Sequence, residues 1–315
     1  MDRFDTLQAF ARVVEAGSFT KAAQTLHLSK TTVTQLVQQL EARLRVKLLH
    51  RTTRRVTVTP EGAAYYERVV RVLADLAEAD AGLAGLTAAP RGRLRVDVPS
   101  PFARLILMPA LPKFHARYPE IQIDMGVSDR IVDVIGDNVD CVLRGGEVTV
   151  PSLIARRVGE LQLGVYAAPD YLQRAGTPTH PAELNDAATA PTQHRIVGFL
   201  RAGSGRVATM PMRRGRGAAE ESVEVRGRYV VAADDGNAYL AAGLAGMGML
   251  WLPRYMAEPH AARGELLPLF DDWQIDPMPM YLAYPPTRHV GAKLRVFMDW
   301  VEELMAGDAL GSARP

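Results

Sequence analysis

The sequence predicts an α/β protein with an all-α N-terminal head closed by a hairpin wing, then one long helix, then a body of two linked α/β lobes. Three observations carry that expectation. The first 60 residues hold ten Lys/Arg against four Asp/Glu, or +6, in a 315-residue chain of formal net charge +2, so the rest is near −4. From residue 60 to 86 an apolar seam recurs at spacings of three and four, with no helix breaker except small residues. Beyond residue 92, short apolar strands alternate with helical patterns, which argues for an α/β domain with largely parallel sheet.

The head begins with Leu7, Phe10, Ala11 and Val14, the buried face of a first helix that ends near Gly17. From Ser18 to Arg51 the chain reads as a helix-turn-helix. A short helix over 20–26 carries the small pair Ala22 and Ala23, which admits a second helix at close range. His27 and Leu28 make the turn, and Ser29 caps the next helix through its hydroxyl. That helix buries Val33, Leu36, Val37, Leu40 and Leu44. Its other face shows Thr31, Thr34, Gln35 and Gln38, with Lys30 and Thr32 beside them. A row of uncharged donors and acceptors suits base edges in a major groove, where Gln pairs bidentately with adenine. An ordinary amphipathic helix pair is the alternative.

A hairpin follows, 47–51 and 56–59, with Arg51, Arg54 and Arg55 at its turn. Arginine at such a wing tip suits the minor groove, where the potential is most negative; a solvated charged turn is the other reading. Thr59, Pro60 and Glu61 then form a compact helix start: a cap, a proline in the first turn, and an acid near the positive end of the dipole. In the helix that follows, Tyr66, Val69, Leu73, Leu76, Asp80 and Leu83 form a seam suited to a two-stranded coil. It reads as the linker through which two copies dimerise, with packing on its own C-terminal domain as the alternative.

A boundary falls at Thr87–Gly92. Strands are expected at 94–98, 121–127, 141–143, 161–167, 196–200, 223–225, 249–252, 266–269 and 280–283. Helices are expected at 102–118, from 131 to 135, at 169–174, 238–245 and 290–305. The expected organisation is residues 1–59 as the DNA-binding domain, 60–89 as the linker helix, 90–305 as a domain of two α/β subdomains and 306–315 as a flexible tail. A domain of this length forms two lobes more readily than one sheet. Ligands of open α/β sheets bind at the carboxyl ends of strands, which between two lobes means a cleft.

Composition narrows the function classes. Nearly half of the residues are hydrophobic, ample for a core, yet no run approaches the length needed to span a bilayer. The opening MDRFDTLQAF does not read as a signal peptide, so the expected location is cytoplasmic, with no membrane partner. Cys141 is the single cysteine and the seven histidines are scattered, so neither a disulfide nor a metal or cofactor site is expected. Catalysis is not expected either. The run Gly243–Gly248 follows a helix and precedes a strand, the reverse of a dinucleotide fingerprint. Gly203, Ser204 and Gly205 lack the nucleophile-elbow spacing.

The order of parts resembles the LysR-type transcriptional regulators over nearly the whole chain. The residues that carry the resemblance in the head are Ala9-Phe10, Gly17-Ser18-Phe19, Ala22-Ala23, Leu26, Ser29, Val33, Leu40-Glu41, Leu44, Leu48, Arg51 and Thr59-Pro60-Glu61-Gly62. In the body they are Met108-Pro109-Ala110-Leu111, Phe114, Tyr118-Pro119, the segment from Ala168 to Leu172, and Gly243 to Gly248 before Leu252-Pro253. The segments 51–55 and 137–146 are most similar to a large subgroup with this RTTRR wing.

The resemblance implies a winged helix-turn-helix, a linker-helix dimer and a two-lobed effector domain like the periplasmic-binding-protein fold. It also implies assembly as a dimer or tetramer on a dyad-symmetric operator in double-stranded DNA, and contact with RNA polymerase. The DNA-binding residues are then Ser29, Lys30, Thr31, Thr32, Thr34, Gln35, Gln38, Arg51, Arg54 and Arg55. Two departures stand out. The family's usual Gln and Pro/Ser after the capping serine are Lys30 and Thr31 here, and its usual glycine before the wing is Arg45. Residues 185–217 match the family least, and Arg213-Arg214-Gly215-Arg216 reads as a solvated loop.

A small organic effector is expected between the lobes. Ser100 lies between the first strand of the body and its first helix, so its hydroxyl and nearby amides are placed to receive a carboxylate or carbonyl oxygen. Phe102 is adjacent, Val127 and Ser128 end another strand, and Arg144 follows a third. The resemblance adds Phe199 and Gly246 on the second lobe. The alternatives are a plain helix cap for Ser100 and an internal ion pair for Arg144.

Overall fold

The computed structural model describes residues 2–51, 56–83, 89–130, 134, 139–148, 150–185, 194–215, 217, 220–286 and 290–307. It divides into two compact units, Met1–Ala88 and Ala89–Pro315.

In the first unit, α1 (Arg3–Ala16) stops at Gly17, whose φ of +57° places it in the left-handed region. Helix α2 (Phe19–Thr25) and helix α3 (Lys30–Leu44) follow, each capped by a serine that accepts an amide from its first turn, Ser18 from Lys21 and Ser29 from Thr32. Ala22, Phe10, Val33 and Leu40 have no exposed surface, so the three helices meet around one core. Between α2 and α3, His27 takes φ +53° to turn the chain.

Strands β1 (Leu49–Arg51) and β2 (Val56–Val58) pair antiparallel as the wing, Leu49 opposite Val58. The turn between them, with Arg54 and Arg55, lies outside the described residues, as does the Arg51 side chain. Helix α4 (Pro60–Leu83) starts as expected. The Thr59 hydroxyl accepts the Gly62 amide at 2.9 Å and donates to the Lys47 carbonyl at 2.8 Å, which ties the helix start to the wing. A Cβ at Gly62 would collide with the Leu48 carbonyl oxygen, so only glycine fits there.

The seam of α4 is used differently from the sequence expectation. Val69 is buried in the head's own core, with Tyr65, Tyr66, Val70 and Leu73 packed around it. Phe10 meets the Tyr65 and Tyr66 rings at 5.9 and 6.4 Å. The first turns of the seam therefore hold the head on the helix. Val72 and Leu76 stay exposed, at 53% and 43%, and the side chains of Asp80 and Leu83 lie outside the described residues.

The second unit opens with β3 (Gly92–Val98) and a continuous helical segment: α5 (Ser100–Phe102), a wider π-helical turn (Ala103–Leu107) and α6 (Met108–Arg117). The widened turn falls just before Pro109 and Pro112, which lack the amides that a regular helix would use. Then come β4 (Ile121–Val127), β5 (Cys141–Gly145), β6 (Ile154–Leu161), β7 (Leu163–Ala167), α7 (Pro169–Ala175), β8 (Ile196–Phe199), β9 (Met210–Arg214), β10 (Glu221–Val225) and β11 (Tyr229–Ala233). The chain closes with α8 (Gly236–Leu244), β12 (Leu250–Pro253), α9 (Arg254–Ala261), β13 (Leu267–Leu269), β14 (Met278–Tyr284) and α10 (Ala292–Ala306).

Two sheets result. The first lobe orders its strands β4-β3-β5-β14-β6. The second orders β12-β7-β13 and is extended by a parallel bridge between Ile196 and Met249 to the pair β8-β11. Both sheets are mixed rather than largely parallel: β3 runs parallel to β4 and β5, whereas β14 is antiparallel to β5 and β6. The single strand expected at 161–167 is two strands in different sheets, because the chain passes from one lobe to the other at Gln162. Strand β6 went unpredicted because Arg156, Arg157 and Glu160 break its apolar pattern; as an edge strand it sets Arg156 against Glu302 of α10 at 2.7 Å. Strand β11 and helix α9 were likewise not expected. Of the helix expected from 131 to 135, only Val134 lies among the described residues, buried against Val142 and Ala283.

The stretch expected as a solvated loop is half of a hairpin. Arg213 and Arg214 belong to β9, which pairs antiparallel with β10. Arg213 is paired with Asp276. Arg214 reaches Asp272 and Glu221, each at 2.8 Å, and its guanidinium lies 4.8 Å from the centre of the Trp273 ring. Arg216 lies outside the described residues.

Candidate functional site

The candidate DNA-reading face is built on α3. Ser29, Lys30, Thr31, Gln35 and Gln38 are exposed on it, while Thr32 and Thr34 are half-buried. Three of the hydroxyls are engaged within the helix. Ser29 Oγ accepts the Thr32 amide at 3.0 Å and lies 2.8 Å from the Thr32 hydroxyl, and the Thr34 hydroxyl donates to the Lys30 carbonyl at 2.8 Å. That division separates positioning groups from free ones. Among the described residues, the side chains of Lys30, Thr31, Gln35 and Gln38 have no hydrogen-bond partner. Thr31, Gln35 and Gln38 share one helix face at spacings of four and three.

What holds this face against the wing was missed in the sequence. Glu41 is buried at 4% exposure, and its Oε1 accepts the amides of Leu48 and Leu49 at 3.0 and 3.2 Å. Its Oε2 receives Lys47 Nζ at 3.1 Å. Burial alone would raise its carboxyl; the lysine and the two amides outweigh that and hold it below the ordinary range. The signal was a lone acid on the apolar stripe, one residue past Leu40. Between Glu41 and the wing, Arg45 takes φ +57°, the left-handed conformation that glycine adopts at no steric cost.

The second candidate site lies where the lobes of the body meet. The N-terminus of the helical segment at Ser100 comes from the first lobe, and that of α8 at Gly236 from the second. One carboxylate joins them: Asp129 Oδ1 accepts the Ser100 amide at 2.9 Å and Oδ2 accepts the Gly236 amide at 2.6 Å. A Cβ on Gly236 would stand 2.5 Å from Pro101 Cγ, so the helices meet this closely because residue 236 has no side chain. Two more bonds cross between the lobes, Arg130 to Asp234 at 2.9 Å and Arg104 to Asn237 at 3.0 Å. Beside them a cavity of about 380 Å³ is lined by Asp129, Arg130, Asp234 and the turn 200–205.

The expected effector residues divide around this point. Ser100 is there, buried at 7%, as the first helical residue; Pro99, not Ser100, occupies the cap position. Val127 and Ser128 lead into Asp129, and the Ser128 hydroxyl accepts the Arg130 amide at 3.0 Å. Arg144 is ion-paired with Asp97, which is 6% exposed, and also donates to the carbonyls of Leu143 and Arg130 at 2.8 and 3.1 Å. Phe102 is fully buried, 6.1 Å edge-on from Tyr255. Phe199 stacks edge-on against Tyr239 at 5.3 Å. Gly246 is not brought to the cleft: it lies beyond the C-terminus of α8, where Arg174 bonds its carbonyl at 2.8 Å. Asp129 was missed by one residue, since the strand-end argument stopped at Ser128.

Among the described residues no group of three or more His, Cys, Asp or Glu is placed to hold a metal ion. Cys141 is fully buried, and burial pushes its thiol far up.

Comparison with known proteins decides the family. Residues 4–63 match the model of the bacterial regulatory helix-turn-helix protein, lysR family, and residues 87–306 match the LysR substrate binding domain. The chain belongs to the LysR family. This LysR-type protein is 36% identical to an HTH-type transcriptional repressor of Pseudomonas aeruginosa, over 97% of this chain and 93% of that one. It is similar in structure to CrgA, a LysR-type transcriptional regulator from Neisseria meningitidis, with 30% identity and a TM-score of 0.57 over 96% of this chain and 98% of that one. The Vibrio cholerae virulence activator AphB matches at 28% identity and a TM-score of 0.56, over 95% of this chain and 98% of that one. The protein is therefore a LysR-type DNA-binding transcriptional regulator with an effector-binding domain, and not an enzyme. No helix among the described residues is long and apolar enough to cross a membrane.

Proposed function

We propose that the protein binds a dyad-symmetric promoter operator as a dimer joined through α4, two dimers forming a tetramer, and that a small molecule held between the lobes changes how the assembly engages RNA polymerase. Lys30, Thr31, Gln35 and Gln38 meet bases and nearby phosphates. Ser29, Thr32 and Thr34 fix the start of the helix, and Arg51, Arg54 and Arg55 enter the flanking minor groove from the wing. The observation that carries this reading is the set of free polar side chains on one face of α3, in a head of charge +6. Exposed Val72 and Leu76 on α4 support pairing of two linker helices.

Footprinting on the promoter regions flanking its own gene, with sedimentation of the free protein, tests this. Two protected half-sites and a dimeric or tetrameric species are expected. A monomer that protects a single asymmetric site overturns the dyad reading.

A further inference from the structure

The cleft already contains an anion: the carboxylate of Asp129. Each oxygen takes one amide, from Ser100 in the first lobe and Gly236 in the second, at 2.9 and 2.6 Å. These are the donors that a bound carboxylate would need, because the start of a helix offers free amides and a favourable dipole. Two nearby cations are already paired, Arg144 with Asp97 and Arg130, on the cavity lining, with Asp234. A second anion arriving here would find the amides occupied and the charge of Asp129 on the lining, where Asp234 already holds Arg130. Burial raises the Asp129 carboxyl above the ordinary aspartate range; the amides of Gly236 and Ser100 work against that, Asp235 adds to it, and Arg144 lessens it.

We propose that Asp129 is the resident anion of the cleft: it closes the lobes as a bound carboxylate would, and it makes the adjoining cavity a site for a cationic or N–H-bearing head group rather than for a free carboxylate. The 380 Å³ cavity beside it has room for a small organic molecule. An ammonium or amide N–H would meet Asp129 on its cavity side. Arg201, also on the cavity lining and exposed, stands at the rim, where solvent competes for any acceptor it meets. The inference deepens the proposed effector site and rests on the cleft being that site.

The test uses the full chain. Asp129→Ala leaves two open amides and a space the size of a carboxylate. Its melting midpoint should fall below that of the wild type. Acetate or formate should then raise it by about 2–4 °C, saturably and against equal chloride, for each kcal/mol of binding energy. The wild type, whose site is filled, should not respond. Asp129→Ser repeats the experiment if the alanine variant is too unstable to melt cleanly. Unchanged stability without rescue in the variants, or equal acetate stabilisation of the wild type, overturns the resident-anion role.

A separate arm sets a fragment panel, sorted into amines, neutral amides and carboxylates, against the wild-type protein. Shifts from amines or amides that disappear in Asp129→Ala are expected. Shifts from carboxylates overturn the ligand class, whereas shifts from no class at all, with acetate rescue intact, remove the cleft as effector site and leave the role of Asp129 in closure standing.

Discussion

The candidate reading face of α3 and the cleft of the body carry similar side chains in opposite states. On α3, Lys30, Gln35 and Gln38 stand exposed, without partners among the described residues. In the cleft, Arg144 is taken by Asp97, Arg130 by Asp234, and Asp129 by two helix amides. A surface that meets a polyanion keeps its donors free, since counterion release drives association and the groove supplies the acceptors. A hinge between lobes satisfies its charges internally, because half-buried unpaired groups are costly. The difference separates a face with open donors from a junction whose charges are already paired.

The largest expected effect tests the free state of the head. On the proposed reading, a dimer presenting Lys30, Arg51, Arg54 and Arg55 twice would neutralise about six to eight phosphates, so operator affinity should drop by about a thousandfold or more between 50 and 200 mM salt. A flat titration by fluorescence anisotropy would break the comparison at its first term. Next comes Glu41→Ala, which orphans the buried amides of Leu48 and Leu49 and should cost about 2–4 kcal/mol of head stability by chemical denaturation. The sign of its pH dependence is fixed by the lowered carboxyl. Its stabilisation is fully present above the ordinary glutamate value of about 4.3 and is lost as pH falls below it. A variant whose acid unfolding matches the wild type refutes the anchoring role.

Gln35→Ala sharpens the comparison within the head. It should remove about 1–3 kcal/mol of discrimination at one base pair. Arg54→Ala should instead weaken all sequences nearly alike. Selection from a randomised operator library distinguishes the two, and unchanged stringency for the Gln35 variant removes that residue from the base-reading set.

The head was legible in the sequence because its information is local. Caps at Ser29 and Thr59 and the stripe from Val33 to Leu40 are set by spacing along one chain segment, and the structure has them so. Less of the body could be read. Strand β6 is charged, β9 is rich in arginine, and both are held by partners more than fifty residues away, Glu302 and Asp272. Spacing does not encode such pairings. The cleft was half legible for the same reason: strand ends gave Ser100 and Ser128, but the link from Asp129 to Gly236 spans the two lobes. Likewise, the regular seam of α4 gave no sign that Val69 and Tyr66 turn back onto Phe10.

The smallest effect concerns the join between reading helix and wing. Arg45 sits at the C-terminal end of α3 with φ +57°, where a Cβ is crowded by the adjacent backbone, at a cost of about 1–2 kcal/mol for an L residue. Arg45→Gly removes that crowding but gives the unfolded chain more freedom, and the two terms oppose each other. The net should be a gain of up to about 1 kcal/mol in the unfolding free energy of the head, read by chemical denaturation. Arg45 is also exposed and charged, so the same change lowers operator affinity if the guanidinium touches phosphate. Arg45→Asn separates the effects, since asparagine tolerates the left-handed region and carries no charge. If both variants gain stability but bind operator less well with a shallower salt slope, the arginine has been kept for DNA at the expense of the turn. If stability rises and affinity is unchanged, the position is strained without a phosphate contact, and the charge balance of the head must be carried by Lys30 and the wing.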